Sequence, residues 1–550
     1  MNPLSMKRIS TSAAPAARHD VVVVGSGYGA AVAALRFSRA GRKVTVLERG
    51  REWRPEDFPS TQAETLPELQ VLTRLGRIGR SDALVEARTN GDVDVVLGIG
   101  LGGGSLINAA LAVTPDRRVF TGEDWPAVFR TDPDGALLAR WIPLARSSLQ
   151  SIRIPDSHLN PARTAALRRA AAALGASVDS AEMNIAFADR ASGAGVHQPA
   201  CTRCGDCVTG CRVGSKNTLR MNYLPLAAAA GAQLHTGVTV RSIARHPQGW
   251  RIFAEHGGDE VAFTCATVVL GAGSLGSTEI LLRSAQDGLE VSPRVGRRWS
   301  GNGDVLGIAY NTDHPINDIG YGPLPVDQAH PCGPAITSLL RHDAAALTDS
   351  FLIADGNIPG PLARVLVPAL AFLGSLPGAD TDKGDEAAEL KRKIASELGG
   401  PYVGAMQHTL ALLMIGHDAA TGRLQLGAEG VRTAWKDLGG TPAYRAKVEA
   451  LRKATAAQGG RFIGSLGWDT TRGGRMATVH PLGGCTMADD ARTGVVDHRG
   501  RVYSGGKGTQ VHDDLFVLDG SIVPTSLGAN PLLTITALAE RAMAIETGEG

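Results

Sequence analysis

The stretch Asp20–Ala30 is the feature that most constrains how this chain folds. Four valines, Val21–Val24, run directly into a glycine-rich turn, Gly25-Ser26-Gly27-Tyr28-Gly29-Ala30. Consecutive valines are typical of a central strand in a parallel sheet that helices cover on both faces. Gly25 suits a tight turn, and Gly27 lets the backbone approach a pyrophosphate at a helix N-terminus, where free N–H groups favour negative charge. The stretch therefore predicts a dinucleotide cradle, with Ala30 at the third, packing position.

A second strand and an acidic residue follow at the spacing that such a cradle requires. After a predicted helix over Ala31–Ala40, Lys43–Leu47 is predicted as a strand that ends at Glu48, roughly 20 residues past the turn. A carboxylate at this place accepts a hydrogen bond from a ribose 2′-OH and repels a 2′-phosphate. NADP is therefore disfavoured, while FAD and NAD both remain.

Length and composition indicate an ordinary globular enzyme. A chain of 550 residues, 43% hydrophobic, can bury a large core and is expected to form two domains. The net charge of +2 indicates neither nucleic acid nor an anionic membrane as a partner. Residues 1–19 contain no apolar run and are predicted to be a disordered tail rather than a secretory signal.

Other features of the chain favour a cytoplasmic location. Apolar stretches such as Leu362–Leu373 are shorter than a membrane span and are interrupted by Arg364 and Pro368. The seven cysteines are an odd number, and four of them are bunched together, which makes a poor disulfide framework. We therefore expect no transmembrane segment.

A second glycine-rich loop, Gly98–Asn108, follows the apolar run Val93–Leu97. Glycines without side chains let a backbone lie flat against a planar or phosphorylated ligand. Ser105 and Asn108 would supply fixed polar contacts within that loop. The loop is thus predicted to form part of a ligand site.

Together the Gly25 turn and the Gly98–Asn108 loop resemble the glucose-methanol-choline (GMC) oxidoreductase superfamily, and Gly102–Asn108 is especially similar to its cholesterol oxidase-like branch. The resemblance implies FAD, with this loop along the flavin, Asn108 as a flavin contact and Val240 on the adenine side. The cofactor-binding residues expected from the cradle and the resemblance are Gly25, Gly27, Tyr28, Gly29, Glu48, Gly103, Gly104, Ser105, Asn108, Val240, Asp519, Gly520, Asn530 and Pro531.

The C-terminal part carries the residues expected to act on substrate. His480 lies in Thr478–Cys485, and Asn530 opens a helix within Gly528–Arg541; both stretches match the same superfamily. A histidine ordinarily titrates near neutral pH, which suits it to orient or accept a hydroxyl proton. The resemblance implies that His480 and Asn530 are catalytic, and it leaves open whether His480 is a base or only a hydrogen-bond partner.

The resemblance also implies the domain organisation. We expect an α/β fold in which a discontinuous Rossmann-type FAD-binding domain comprises residues 20–125, 212–304 and 475–550. Residues 126–211 and 305–474 would form an α+β substrate domain, a sheet with helices that roofs the flavin. Asp355, in this second unit, is interpreted as an exposed loop aspartate.

The cysteine-rich loop is the least expected feature. Cys201, Cys204, Cys207 and Cys211 give C-x2-C-x2-C-x3-C, the spacing of bacterial ferredoxin cluster loops. In two-cluster ferredoxins the fourth cysteine serves the other cluster, and this chain has one such run. A four-iron cluster would need Cys211 to bend back, or a ligand from Cys265, Cys332 or Cys485; a three-iron cluster would need three thiolates. The alternative is a cysteine-rich structural loop.

The sequence therefore predicts an FAD enzyme that oxidises a bulky hydrophobic secondary alcohol, sterol-like by resemblance, with hydride transfer to the flavin and O2 as acceptor. For a lipid substrate it predicts peripheral membrane contact. One alternative is a dehydrogenase that passes electrons to an iron–sulfur cluster or another acceptor. A nicotinamide-dependent dehydrogenase and a non-catalytic FAD or redox-sensing protein are further alternatives.

Overall fold

A computed structural model describes residues 7–382, 385–464 and 476–549. Residues 1–6 of the predicted tail, and residue 475 at the predicted domain boundary, lie outside these ranges. The strands in the described ranges are β1 Arg18–Val24, β2 Val44–Glu48, β3 Leu69–Thr73, β4 Gly76–Ile78, β5 Val85–Arg88, β6 Val93–Gly98, β7 Ile152–Arg153, β8 Ser177–Ser180, β9 Glu182–Met183, β10 Arg190–Ala191, β11 His197–Gln198, β12 Gln233–Thr236, β13 Val238–His246, β14 Gly249–His256, β15 Asp259–Leu270, β16 Arg297–Ser300, β17 Val305–Tyr310, β18 Ser338–His342, β19 Phe351–Gly356, β20 Leu410–Ile415, β21 Gly422–Gly427, β22 Gly430–Ala434, β23 Arg461–Gly464, β24 Met476–Thr478, β25 Leu482–Gly484, β26 Arg501–Tyr503 and β27 Val511–Val517.

The helices in the same ranges are α1 Tyr28–Arg39, α2 Gln62–Thr65, α3 Arg117–Phe120, α4 Ala127–Thr131, α5 Trp141–Ser148, α6 Pro161–Leu174, α7 Tyr223–Ala229, α8 Gly273–Gln286, α9 Gly360–Leu373, α10 Glu386–Gly399, α11 Gly404–Gln407, α12 Pro442–Ala456 and α13 Leu532–Thr547.

The valine run forms the centre of the largest sheet, as predicted. β1 pairs in parallel with β2 on one side and with β15 on the other. The other edge of β15 is shared: its first half pairs antiparallel with β14, and its last residues pair in parallel with β27. Val21, Val22 and Val23 are completely buried, and α1 packs on β1 and β2. The sheet thus gathers strands that are far apart in the chain around one hydrophobic core.

A second, antiparallel sheet forms the predicted roof. Its order is β23-β17-β20-β19-β18-β8, and α6 and α12 pack against it. It therefore combines a strand from residues 177–180 with strands from 305–464. The α/β fold with a separate sheet-and-helix unit is confirmed.

The structure differs from the predictions in two segments near the N-terminus. The backbone N–H groups of Ile9 and Ser10 donate to the buried Glu52 carboxylate, and Thr11 pairs with β12, so the disordered-tail prediction is wrong for residues 9–11. The polar sequence of residues 51–87 has a helical tendency, yet this segment contributes β3, β4 and most of β5 to a separate sheet. Sheet pairing outweighs local helix propensity in that segment.

The prediction that Asp355 is an exposed loop residue is also wrong. Asp355 lies on β19 and is completely buried, and its Oδ1 accepts hydrogen bonds from the N–H groups of Thr337 and Ser338, at 2.7 and 2.9 Å. The Nε of Arg163, also fully buried, lies 3.2 Å from Asp355 Oδ2 and 3.3 Å from Asp318 Oδ1. Burial raises the pKa of both carboxyls, and the guanidinium opposes that rise.

We expect Arg163→Met to lower the free energy of unfolding at pH 7 by about 3–5 kcal/mol, because it leaves two buried carboxyls without their cation. A carboxyl whose pKa is higher in the folded than in the unfolded protein binds more protons when folded. The free energy of unfolding then falls as the pH rises above about 4, which is the pKa of the carboxyl in the unfolded protein. Urea denaturation should therefore show a smaller loss at pH 5 than at pH 7. Arg168→Met, an exposed change on the same helix, serves as control; equal losses in both variants would contradict the assignment.

Candidate active site

The turn after β1 has the geometry predicted for a dinucleotide cradle. Gly25 has a φ of +90°, and a Cβ there would lie 2.4 Å from the carbonyl oxygen of Gly271, so only glycine fits. A Cβ on Gly29 would lie 2.0 Å from the carbonyl oxygen of Leu518. The close approach of α1 to β27 thus depends on Gly29, one residue before the predicted packing position at Ala30.

Gly27 is different, because the protein's own packing does not require a glycine there. A Cβ on Gly27 would meet only the Gly271 carbonyl oxygen, at 4.0 Å. Gly27 is the N-cap of α1 and makes no side-chain cap, so the N–H groups of the first turn are left for an anion. The second glycine loop lies against it: a Cβ on Gly103 would be 3.3 Å from Gly27 Cα, and one on Gly104 would meet nothing within 4 Å. These positions fit a bound dinucleotide.

Glu48 lies beside this turn, at the end of β2. Its carboxylate accepts hydrogen bonds from Ser26 Oγ at 2.5 Å and from the N–H of Gly50 at 2.9 Å. Burial raises the pKa of Glu48, and these hydrogen bonds oppose that rise. The predicted strand, turn and acid are therefore brought together.

Several of the other predicted cofactor residues use their polar groups within the protein. Ser105 Oγ donates to the carbonyl of Gly102, and the amide of Asn108 donates to the hydroxyl of Tyr28, at 2.7 Å in each case. The side chain of Asp519 accepts from Gly273 N–H, Ser277 Oγ and Ser521 N–H. These side chains shape the loops around the cradle.

The remaining predicted cofactor residues take up three separate positions. Val240 is buried on β13. A Cβ on Gly520 would lie 3.2 Å from the carbonyl oxygen of Pro481. Pro531 is the N-cap residue of α13.

Two parallel strands carry the second glycine loop and His480 to the same edge of a sheet. β24 pairs in parallel with β6, with Thr478 opposite Val95. The chain leaves β6 into the Gly98–Asn108 loop and leaves β24 towards His480. Because the carboxyl ends of parallel strands lie side by side, the catalytic histidine predicted from sequence is placed next to the loop predicted to line the flavin.

His480 lies between a carboxylate and an amide. Its Nδ1 is 2.9 Å from Asp304 Oδ1, and its Nε2 is 3.1 Å from Asn530 Nδ2. His480 and Asn530, 50 residues apart in sequence, are thus brought into contact as a pair. Asn530 is only 6% exposed, and its Oδ1 is buried with no hydrogen-bond partner among the described residues.

Sequence reasoning missed Asp304 as a site residue. It ends the turn Ser300–Asp304, which leads from β16 into β17. Asn302 in this turn has a φ of +57° and holds the loop before Asn530: its Nδ2 donates to the Ala529 carbonyl at 2.9 Å, and its Oδ1 accepts from Leu527 N–H at 2.8 Å. One turn therefore supports both catalytic candidates. The available sequence signal was the Asn-Gly pair directly before β17.

The cysteine-rich loop does not fit an iron–sulfur cluster. Across residues 7–382, 385–464 and 476–549, no three His, Cys, Asp or Glu side chains are arranged to hold a metal ion. Cys265 and Cys485 belong to the core of the large sheet, and Cys207 belongs to a different one.

The loop is instead held by hydrogen bonds to its neighbours. Asp206 accepts from the N–H groups of Gly322 and Gly360, at 2.8 Å each. The buried Lys216 Nζ donates to the carbonyls of Cys207, Leu106 and Asn108, at 2.7, 2.8 and 3.0 Å. The loop that contains Cys201 and Cys211 thus joins the second glycine loop to the start of α9, which supports the structural alternative.

A nucleotide cradle together with a His–Asn pair fits an oxidoreductase, and comparison with known proteins identifies the family. GMC oxidoreductase family models match residues 20–300 and 410–539. The chain therefore belongs to the GMC oxidoreductase family, and it is an FAD-dependent oxidoreductase that acts on alcohols.

Similar proteins differ in the substrates that their names state. A cholesterol oxidase of Mycobacterium tuberculosis is 28% identical over 97% of this chain and 92% of its own length, and one of Acinetobacter baumannii is 26% identical over 96% and 94%. A long-chain-alcohol oxidase of Arabidopsis thaliana is 24% identical over 95% of this chain and 66% of its own length. The family resemblance predicted from sequence is confirmed.

A solved structure confirms the fold alone. Pyridoxine 4-oxidase from Mesorbium loti superposes with a TM-score of 0.60 at 17% identity, over 96% of this chain and 99% of its own. Within the described residues no helix is long and apolar enough to cross a membrane.

Proposed function

We propose that the protein oxidises a bulky hydrophobic secondary alcohol of the sterol class to the ketone, with O2 as the electron acceptor. The observation that carries this proposal is the contact between His480 Nε2 and Asn530 Nδ2, at 3.1 Å, on the chain that leaves β24 beside β6. An alcohol hydroxyl matches this pair, because it can donate to Nε2 while its oxygen accepts from Nδ2. The cholesterol oxidase relatives support the sterol class.

The cofactor assignment is part of this proposal. Gly25, Gly27, Tyr28, Gly29 and Glu48 would hold the ADP end, with Val240 on the adenine side. Gly103, Gly104, Ser105 and Asn108 would line the flavin, and Asp519, Gly520, Asn530 and Pro531 would complete its far end. The N-terminus of α13 would favour negative charge there, because its first N–H groups lack intrahelical partners. FAD, when bound, supplies the acceptor for the carbinol hydrogen and its electron pair.

The chain's own residues handle the hydroxyl. The substrate O–H donates to Nε2 of His480, and this proton is transferred to Nε2 as the C–O bond becomes a carbonyl. Asn530 orients the hydroxyl through its amide group and limits the angle at which it meets the imidazole. The alcohol thus loses one proton to His480 and one hydrogen with two electrons to the cofactor. O2 finally takes two electrons and two protons and leaves as hydrogen peroxide.

A substrate comparison tests this proposal. The FAD-loaded protein is mixed under anaerobic conditions with a 3β-hydroxysterol, a long-chain primary alcohol and an aryl alcohol, and flavin bleaching is followed by stopped flow. A steroid that lacks the hydroxyl is the control. We expect the sterol to give the highest kcat/KM, by about tenfold or more, because a matched apolar pocket gains 1–3 kcal/mol. If the long-chain or the aryl alcohol bleached the flavin faster, that alcohol would replace the sterol as the proposed substrate class.

The acceptor is tested in the same experiment by admitting air. We expect reoxidation with one hydrogen peroxide per ketone. Bleaching that persists in air would instead favour a dehydrogenase with another acceptor. Absence of bleaching with every alcohol tested would favour a non-catalytic FAD protein.

A further inference from the structure

We infer that Asp304 is a positioning residue that holds His480 with its proton on Nδ1, so that Nε2 presents a lone pair to the substrate. This inference rests on the proposed alcohol oxidation. It also decides what sequence reasoning left open, because a nitrogen with a free lone pair can accept the hydroxyl proton. His480 is then the base of the reaction.

The contacts of Asp304 fix its state as an acceptor. Its side chain is completely buried, and three groups point at it: His480 Nδ1 at 2.9 Å from Oδ1, and Thr478 Oγ1 and Val479 N at 2.8 and 3.0 Å from Oδ2. Hydrogen bonds to a carboxylate favour its ionised form, which has no proton to donate. The hydrogen in the His480–Asp304 contact therefore belongs to Nδ1.

The other side of the ring is consistent with this tautomer. A neutral imidazole carries one proton, so Nε2 is an acceptor when Nδ1 is a donor. In the structure Asn530 Nδ2 lies 3.1 Å from Nε2 and donates to its lone pair; the substrate hydroxyl donates to this lone pair instead, and its oxygen accepts from Nδ2. The amide orientation of Asn530, the tautomer of His480 and the ionised state of Asp304 thus agree with one another.

The charges around Asp304 support the same arrangement. Lys447, on α12, is 5% exposed, and its Nζ donates to the carbonyl of His417. Burial lowers the pKa of Lys447, and the carboxylates of Asp418 and Asp304 oppose that effect. Asp418 in turn accepts from Ser300 Oγ and from the N–H groups of Gly301 and Gly303. Lys447 thus interacts electrostatically with both carboxylates.

The consequence for the reaction lies in the charge that develops on His480. When Nε2 takes the hydroxyl proton, the ring becomes a cation whose Nδ1–H points at Asp304. Asp304 keeps its charge throughout, so no second proton moves. A carboxylate in this role typically contributes 10²–10⁴-fold to the rate, by holding the tautomer and stabilising the cation.

The test compares Asp304→Asn with Asp418→Asn. Asp418 supports the same turn without touching His480, so it reports on structural loosening alone. Both variants and the wild type are labelled with ¹⁵N-histidine, and the His480 signals are assigned from the spectrum of His480→Gln. We expect the wild type and Asp418→Asn to carry the ring proton on Nδ1, while Asp304→Asn shifts it towards Nε2. For Asp304→Asn we expect kcat to fall about 10²–10⁴-fold with KM nearly unchanged.

Some outcomes would overturn the inference. A wild-type His480 with its proton on Nε2 does so at once, and this measurement needs no variant to fold. Equal losses of kcat in both variants, with the same tautomer in both, would show that Asp304 only supports the turn. The wild type could carry the ring proton on Nδ1, and Asp304→Asn could shift it towards Nε2, while the wild type oxidises no alcohol. The proposed function would then fail, and the positioning role of Asp304 would stand.

Discussion

His480→Ala is expected to lower kcat by about 10²–10⁴-fold while the protein keeps its FAD, because the variant lacks the acceptor for the hydroxyl proton. Without it, the alcohol must lose its proton to water in a site that is largely closed: the His480 side chain is 12% exposed and Asn530 is 6% exposed. Stopped-flow bleaching with the best substrate measures the rate, and the flavin absorbance per chain measures the cofactor content.

His330→Ala is a matched control for this variant. His330 also contacts an aspartate, with Nδ1 3.1 Å from Asp327 Oδ2, but both side chains are more than half exposed. Its removal should leave kcat and FAD content unchanged. If His480→Ala bleached the flavin as fast as the wild type, His480 would have no part in the chemistry.

Local patterns were sufficient to predict the elements that carry the site. The valine run, the Gly25 turn and Glu48 lie within 30 residues, and their contacts follow the strand–turn–helix order that the pattern indicates. The pair His480 and Asn530 was likewise recognisable from short stretches. These features depend on residues close in sequence, or on motifs whose structural context is the same wherever they occur.

The surroundings of Asp304 and Asp355 could not be predicted from local sequence patterns. Asp304 meets a histidine 176 residues later, and the Nε of Arg163 reaches Asp355 across 192 residues. Each aspartate lies next to a glycine, which locally indicates a turn. Only the pairing of distant strands decides that one carboxylate faces His480 and that the other is buried beside an arginine. The cysteine spacing misled in the same way, because it describes the order of the thiols and not their surroundings.

The turn Ser300–Asp304 links the two units of the fold at the point where the reaction is proposed to occur. It follows β16 and leads into β17 of the roof sheet, and its residues hold both His480 and the loop before Asn530. Asp418, which follows β20 of the same roof sheet, holds this turn through Ser300, Gly301 and Gly303. Substitutions in the roof sheet can therefore affect His480 and Asn530 without touching the two glycine loops.

Gly27→Val is expected to abolish FAD binding while leaving the FAD-free protein nearly as stable as the wild type. The Cβ of the added side chain would meet no protein atom closer than 4.0 Å. It would stand where the pyrophosphate must approach the N–H groups of α1. Loss of two or more charge-assisted hydrogen bonds should cost at least about 3 kcal/mol and weaken FAD binding at least ~100-fold. Flavin fluorescence titration measures the binding, and thermal unfolding of the stripped protein measures the stability.

Gly29→Ala is expected to destabilise the protein even without FAD, which is the opposite of the result expected for Gly27→Val. Its Cβ would lie 2.0 Å from the carbonyl oxygen of Leu518, so α1 must move away from β27. Overpacking of this kind typically costs about 1–3 kcal/mol, which should lower the unfolding midpoint even without FAD.

A Gly27→Val protein that bound FAD as tightly as the wild type would show that the cofactor lies elsewhere. A Gly27→Val protein that was unstable without FAD would show that Gly27 serves the fold rather than the ligand.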